Sequence, residues 1–225
     1  MTIDPGVPIA VPDSASTVFG PQLDRAVRYA ELLATDGVLR GLIGPREAAR
    51  VWDRHLLNCA VVGEVVPAGA SVCDVGSGAG LPGVPLALAR SDLRVELVEP
   101  MERRASFLRD VVAELALENV TVSRGRGEDA SRDRYDVVTA RALAPLLRLV
   151  PMCLPLVRVG GLLVAMKGSG ALAELTDASM IVAASGGGRA ELVTVGVGVV
   201  DPPATLVLIR RDRALPAQRP GGARG

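Results

Sequence analysis

The sequence predicts an α/β fold: a mainly parallel seven-stranded sheet that ends in an antiparallel hairpin, with capping helices before it. Three observations support this. Apolar runs of five to eight residues alternate with longer amphipathic stretches from residue 71 to about 209, which is a βα alternation. A glycine-rich run, Asp74-Val-Gly76-Ser-Gly78-Ala-Gly80-Leu-Pro82, follows the first apolar run and precedes a helical pattern. The last two apolar runs are joined by Asp201-Pro-Pro203 and its neighbours with no helix between, so they pair as a hairpin.

Taken in order, residues 1–18 are expected to be a flexible N-terminus. A single domain over 19–210 follows, divided into a helical cap (19–66) and an α/β core (70–210). In the cap, Leu23, Val27, Ala30, Leu33 and then Trp52, Leu56, Leu57 fall at helical spacing, giving two or three helices. Gly44-Pro45-Arg46-Glu47 reads as a helix entrance, with proline in the first turn. The same segment gathers Arg46, Arg50, Arg54 and the only histidine, His55. Strands are expected at 71–75, 94–99, 120–124, 135–140, 161–167, 191–198 and 204–210. Helices are expected at 83–90, 101–117, 143–157 and 171–185. Residues 211–225 are rich in Pro, Gly and Arg without periodic apolar positions after Leu215, the composition of a disordered basic tail.

The glycine run reads as a strand, a tight loop and a helix start. Glycines at 76, 78 and 80 permit positive backbone dihedrals and leave no Cβ between the main chain and a ligand. Gly78, Gly80 and Gly83 also match the dinucleotide spacing G-x-G-x-x-G. Such loops lead a pyrophosphate onto a helix N-terminus, where Asp74, two residues before Gly76, would repel it. S-adenosylmethionine has no phosphate and presents an ammonium and a sulfonium, so Asp74 favours it over NAD. Glu99, at the tip of the next apolar run, is placed to accept ribose hydroxyls in either ligand class. The hairpin at the end of the sheet also leans toward methyltransferases and away from dehydrogenases.

Composition narrows the remaining classes. Nearly half of the 225 residues are hydrophobic, enough to bury a core. No apolar span approaches the ~20 residues of a membrane helix, and Met1 to Pro12 lacks a basic region followed by an apolar one. A cytoplasmic protein is expected. Cys59, Cys73 and Cys153 are widely spaced in apolar contexts and read as buried hydrophobes, so no metal is expected. Formal net charge is zero, although residues 210–224 hold five arginines against Asp212. Every basic residue except Lys167 is arginine. Lys167 ends an apolar run, which places it on the same sheet edge as Gly76 and Glu99.

The residues carry a family resemblance. Trp52-Asp-Arg54-His55-Leu-Leu57-Asn58, the glycine loop extended through Gly83-Val-Pro85-Leu86, Arg103-Arg104-Ala-Ser-Phe107-Leu108, Thr139-Ala-Arg141-Ala142 and Met166-Lys167-Gly168 resemble the RsmG (GidB) family. That bacterial family methylates N7 of guanosine 527 in 16S ribosomal RNA. The resemblance implies a Rossmann-like class I methyltransferase fold dependent on S-adenosyl-L-methionine. It implies cofactor contacts at Gly76, Leu81, Gly127, Glu128 and Arg141, joining Asp74, Gly78, Gly80 and Glu99. It implies RNA and active-site contacts at Arg103, Arg104, Arg126, Arg141 and Lys167. Arg141 and Lys167 are expected to position the target nucleotide through phosphate or base-edge contacts, and His55 is expected beside the RNA. Arg103 stands where many members have Lys, and Glu99 where others have Asp. The expected partner is 16S rRNA within the small subunit or an assembly intermediate, the chain acting as a monomer. A small-molecule methyltransferase and an NAD-binding Rossmann protein are the alternatives.

Overall fold

The computed structural model describes residues 10–129 and 131–215. The cap is built from α1 (Asp13–Phe19), α2 (Leu23–Leu32) with a π-helical continuation over Leu33–Gly37, α3 (Pro45–Ala48), a π-helical stretch Val51–Leu57, and α4 (Asn58–Ala60). The core follows as β1 (Ser71–Val75), α5 (Gly83–Ala89), β2 (Arg94–Glu99), α6 (Glu102–Glu114), β3 (Val120–Arg124), β4 (Tyr135–Arg141), α7 (Leu146–Cys153), β5 (Val157–Lys167), α8 (Ala171–Asp177), α9 (Ser179–Ala184), β6 (Gly187–Val195) and β7 (Ala204–Arg211).

The seven strands lie in the order β3-β2-β1-β4-β5-β7-β6. All neighbours pair in parallel except β5–β7 and β7–β6, which are antiparallel. The expected sheet and closing hairpin are therefore both present. The central strands are rich in Val, Leu and Ala and buried on both faces, as parallel strands covered by helices must be. One apolar layer unites the cap, α5 and α6 with Val72, Val137 and Val164. The other unites α7 to α9 with Cys73, Val138 and Ala165. The order reverses between β1 and β4, so the crevice at their carboxyl ends is where a ligand fits an open α/β sheet.

Several boundaries differ from expectation. Residues 13–18 belong to the cap: Ala15 and Phe19 are buried, and the Phe19 ring meets Trp52 edge-on at 6.2 Å. The helix expected over 143–157 is shorter, because Pro155 sits in a 3-10 turn, Leu154–Leu156, and Val157 already opens β5. The helix expected over 171–185 divides at Ala178. β6 starts at Gly187, where a Cβ would lie 2.6 Å from the Val182 side chain, so only glycine lets the strand begin beneath α9. The core does not end at residue 210. Arg211 is buried, donating to Pro155 O at 2.6 Å and to Val157 O and pairing with Asp133 at 2.9 Å. Arg213 donates to Ala183 O at 2.6 Å. Arg219 and Arg224 of the expected tail lie outside the described residues.

The start of α5 packs closely on the sheet. A Cβ at Gly83 would fall on Leu97 Cδ2 and stand 2.8 Å from Asp74 Oδ2. Gly83→Ala is therefore expected to destabilise the fold by about 1–3 kcal/mol, the usual range for overpacking, measured by urea unfolding.

Candidate active site

β1 delivers Asp74 to the crevice, and the chain then turns through Gly76, Gly78 and Gly80 at φ of +70°, +58° and +97°. These are left-handed conformations that favour glycine, as the spacing implied. The three differ in what they face. A Cβ at Gly80 would crowd Val84 and the Tyr29 hydroxyl, whereas one at Gly78 would meet nothing closer than 3.8 Å. Gly78 thus presents bare main chain, and Gly80 serves packing. A Cβ at Gly76 would meet Leu143 Cδ1 at 2.6 Å, so the β4–α7 loop lies directly over it. The loop is pinned from both sides. Gly76 and Ser77 donate to Val98 O at 2.8 and 3.2 Å, and the Tyr29 hydroxyl donates to Ala79 O at 2.7 Å.

Glu99, expected as a ribose acceptor, is buried and also engages the protein's own backbone: Oε2 accepts from Gly78 N at 3.0 Å and Oε1 from Met101 N at 2.9 Å. It shapes the glycine loop from below. Leu81 packs half-buried against the cap-side apolar layer, and Gly127 lets the turn after β3 close on Val75, where a Cβ would stand 2.7 Å from Cγ1. Glu128 lies in that turn, Gly127–Asp129, but its side chain lies outside the described residues.

Asp74 is fully buried. Its Oδ2 accepts from Gly83 N at 3.0 Å, and Oδ1 has no hydrogen-bond partner. Thr139, its register partner on β4, is also buried, with Oγ1 unpartnered. Burial pushes the Asp74 carboxyl up from 3.8 to about 7, against the opposing pull of the Gly83 N–H, Ser77 and Arg141. An orphaned buried acceptor at the crevice, next to an open glycine backbone, fits a ligand bearing an ammonium or sulfonium.

Arg141 ends β4 half-buried on the cap side. Its Nη1 donates to Cys59 Sγ at 2.9 Å, and Nη2 donates to Arg54 O at 3.1 Å and to His55 Nδ1 at 2.7 Å. Three of its five N–H donors are engaged, and two are left for a ligand. His55, expected beside the RNA, is 5% exposed, and its Nδ1 accepts from Arg141 Nη2. The π-helical stretch Val51–Leu57 turns the ring inward, where apolar neighbours and the cap shield it. Burial and the Arg141 charge lower its pKa from 6.5 to about 4. Its Nε2 faces Glu47 Oε2 at 3.2 Å, and Glu47 also pairs with Arg54 at 2.7 Å.

These two shifts have opposite consequences for stability. Between about pH 4 and 7 the folded chain holds a proton on Asp74 that the unfolded chain has released, so stability falls as pH rises. Between 6.5 and about 4 the unfolded chain protonates its histidine and the folded chain does not, so stability falls as pH drops. The two slopes offset each other in the wild type. In Asp74→Asn the histidine slope is expected to emerge, with stability rising from pH 4 to 6.5 in urea titrations.

The Lys167 ammonium, expected to position the nucleotide, lies 2.7 Å from Ala144 O and 2.8 Å from Glu174 Oε2, with the side chain 10% exposed. Glu174 Oε2 also accepts from Leu146 N at 2.9 Å. Lys167 and Glu174 together clamp the β4–α7 loop that covers Gly76. Among the RNA candidates, Arg103 and Arg126 are exposed and their side chains meet no acceptor among the described residues. Arg104 approaches Glu99 at 4.0 Å, with its Nε buried and unpartnered.

Tyr29, Glu47, Cys59, Leu143 and Glu174 were missed. Glu174, in the helix that follows Lys167, left a signal as its prospective partner; Tyr29 and Cys59 act across the cap interface, Glu47 within the cap and Leu143 from the β4–α7 loop, and these left none. Among the described residues no group of three or more His, Cys, Asp or Glu could hold a metal ion, and no helix is long and apolar enough to cross a membrane.

Comparison with known proteins gives the same picture. The family described as GidB, rRNA small subunit methyltransferase G, matches residues 22–198. The chain is 53% identical to the ribosomal RNA small subunit methyltransferase G of Salinispora arenicola, over 99% of this chain and 95% of that protein. It is 49% identical to the protein of the same name from Corynebacterium efficiens, over 92% and 91%. Among solved structures it resembles the tRNA (m1A58) methyltransferase TrmI from Aquifex aeolicus, with a TM-score of 0.55 and 13% identity over 70% of this chain and 69% of that one. That likeness shows the fold, a Rossmann-like methyltransferase sheet.

Proposed function

This chain belongs to the GidB family, rRNA small subunit methyltransferase G, and from that membership we propose that it transfers the methyl group of S-adenosylmethionine to N7 of guanosine 527 in 16S ribosomal RNA. The observation that carries this reading is the juxtaposition at the β1/β4 crevice. An open glycine backbone and a buried unpartnered carboxylate oxygen lie beside Arg141, which has donors left over. When bound, S-adenosylmethionine supplies a methyl carbon that N7 attacks as the carbon–sulfur bond breaks, sulfur leaving as a neutral thioether.

Guanine N7 carries an in-plane lone pair, so the protein needs no general base. Among the described residues Asp74 and His55 are both buried. What the residues supply is orientation, worth several kcal/mol when reacting atoms are held in line. Asp74 favours the positive end of the cofactor, and Gly78 lets it approach the main chain. Arg141 holds the target nucleotide by phosphate or base edge, while Arg103, Arg104 and Arg126 grip flanking phosphates. Lys167 acts one step back, through the loop over Gly76.

All five aromatic rings, Phe19, Tyr29, Trp52, Phe107 and Tyr135, are buried. No ring is offered for stacking an unpaired base, the usual device of single-strand readers. Together with zero net charge, this favours a folded ribonucleoprotein surface as substrate. The test is paired: calorimetric binding of S-adenosylmethionine against NAD, and transfer to small subunits against a short naked hairpin. Preference for NAD, or equal rates on the hairpin, would overturn the corresponding half.

A further inference from the structure

We propose that His55 is a positioning residue for methyl transfer: its Nδ1 accepts from Arg141 and fixes the guanidinium at the carboxyl end of β4. The inference rests on the reading that Arg141 serves the transfer. A guanidinium can only donate, so the 2.7 Å contact requires an unprotonated Nδ1. The ring proton then sits on Nε2, which has Glu47 Oε2 at 3.2 Å without forming a hydrogen bond to it. The Arg141 donor fixes the tautomer, and the Glu47 carboxylate beside Nε2 favours the proton on that side.

The choice of an imidazole has a physical consequence. A carboxylate at this position would hold Arg141 as firmly but would neutralise it, leaving little charge for a phosphate or another anionic ligand group. A neutral imidazole holds the guanidinium and leaves its charge intact. Cys59 Sγ and the Arg54 carbonyl, the other two acceptors, are formally neutral as well, and burial keeps the thiol protonated by raising its pKa. The nearest acidic group on the cap, Glu47, is turned to the far ring nitrogen and to Arg54. Arg141 is thus gripped by three uncharged acceptors while the one carboxylate of the cluster is kept one ring away.

The experiment is a double-mutant cycle in kcat/KM for transfer to small ribosomal subunits, with thermal unfolding of each variant. His55→Phe removes the acceptor and is expected to lose about 10-fold in the wild-type background and less than about 2-fold in Arg141→Met, the non-additivity of residues acting through one another. His55→Asn, whose amide oxygen reaches the Nδ1 position, is expected to recover most of that loss. Should His55→Phe not fold, His55→Gln, whose amide reaches only the Nε2 position, takes its place. An equal loss in both backgrounds, or Asn no better than Phe at matched unfolding temperature, would overturn the positioning role. Full activity of Arg141→Met would instead overturn the reading of Arg141 on which it rests.

Discussion

Arg141→Met is expected to lower kcat/KM for methyl transfer to small ribosomal subunits by about 100-fold, with an unfolding temperature about 6–12 °C below wild type. Methionine keeps the aliphatic stem and removes the only charge at the end of β4. The lost contacts are to Cys59 Sγ, Arg54 O and His55 Nδ1. Each is a single hydrogen bond at a half-buried site, worth about 1 kcal/mol net. The functional loss is expected to be larger because, on the proposed reading, the two remaining donors hold the target nucleotide, and misplacing reacting groups by an ångström is costly. Steady-state kinetics on small subunits, with circular dichroism melting as control, separates the two effects.

Asp74→Asn is expected to stabilise the cofactor-free protein while weakening cofactor binding. Ionising Asp74 in the folded chain is opposed by full burial, which lifts its pKa from 3.8 to about 7. At pH 8 that difference corresponds to an upper bound of ~4 kcal/mol, which an uncharged asparagine avoids. The amide oxygen can still accept from Gly83 N. The same substitution removes the negative charge that favours an ammonium or sulfonium, a loss of about 10- to 100-fold in affinity for S-adenosylmethionine. Urea unfolding at pH 8 and calorimetric titration should therefore move in opposite directions. A variant that loses stability and keeps affinity would show that Asp74 serves the α5 terminus alone.

The sheet was legible because its signal is local. Short apolar runs, the positive-φ glycines and the helix-free connection before Ala204 each report on a few neighbouring residues, and they gave the strands and the hairpin. Boundaries failed where a distant contact decides them. Gly187 belongs to β6 because of Val182, and Arg211 to the core because of carbonyls at Pro155 and Val157. The site was half legible for the same reason. The places of Asp74, Gly78 and Arg141 at the crevice could be read from their motifs. The intramolecular partners of His55, Glu99 and Lys167 could not, since each is brought close only by folding: Arg141, Gly78 N and Glu174. A polar residue at a strand end reads as a ligand contact until the structure shows whether its own chain has already engaged it.

The central claim is tested most directly by transferring labelled methyl from S-adenosylmethionine to small ribosomal subunits from a strain lacking this gene, followed by mapping of the labelled base. The account predicts label at N7 of a single guanosine, position 527 of 16S rRNA. Label on another atom or another nucleotide, or none on subunits or assembly intermediates despite measured cofactor binding, would contradict it.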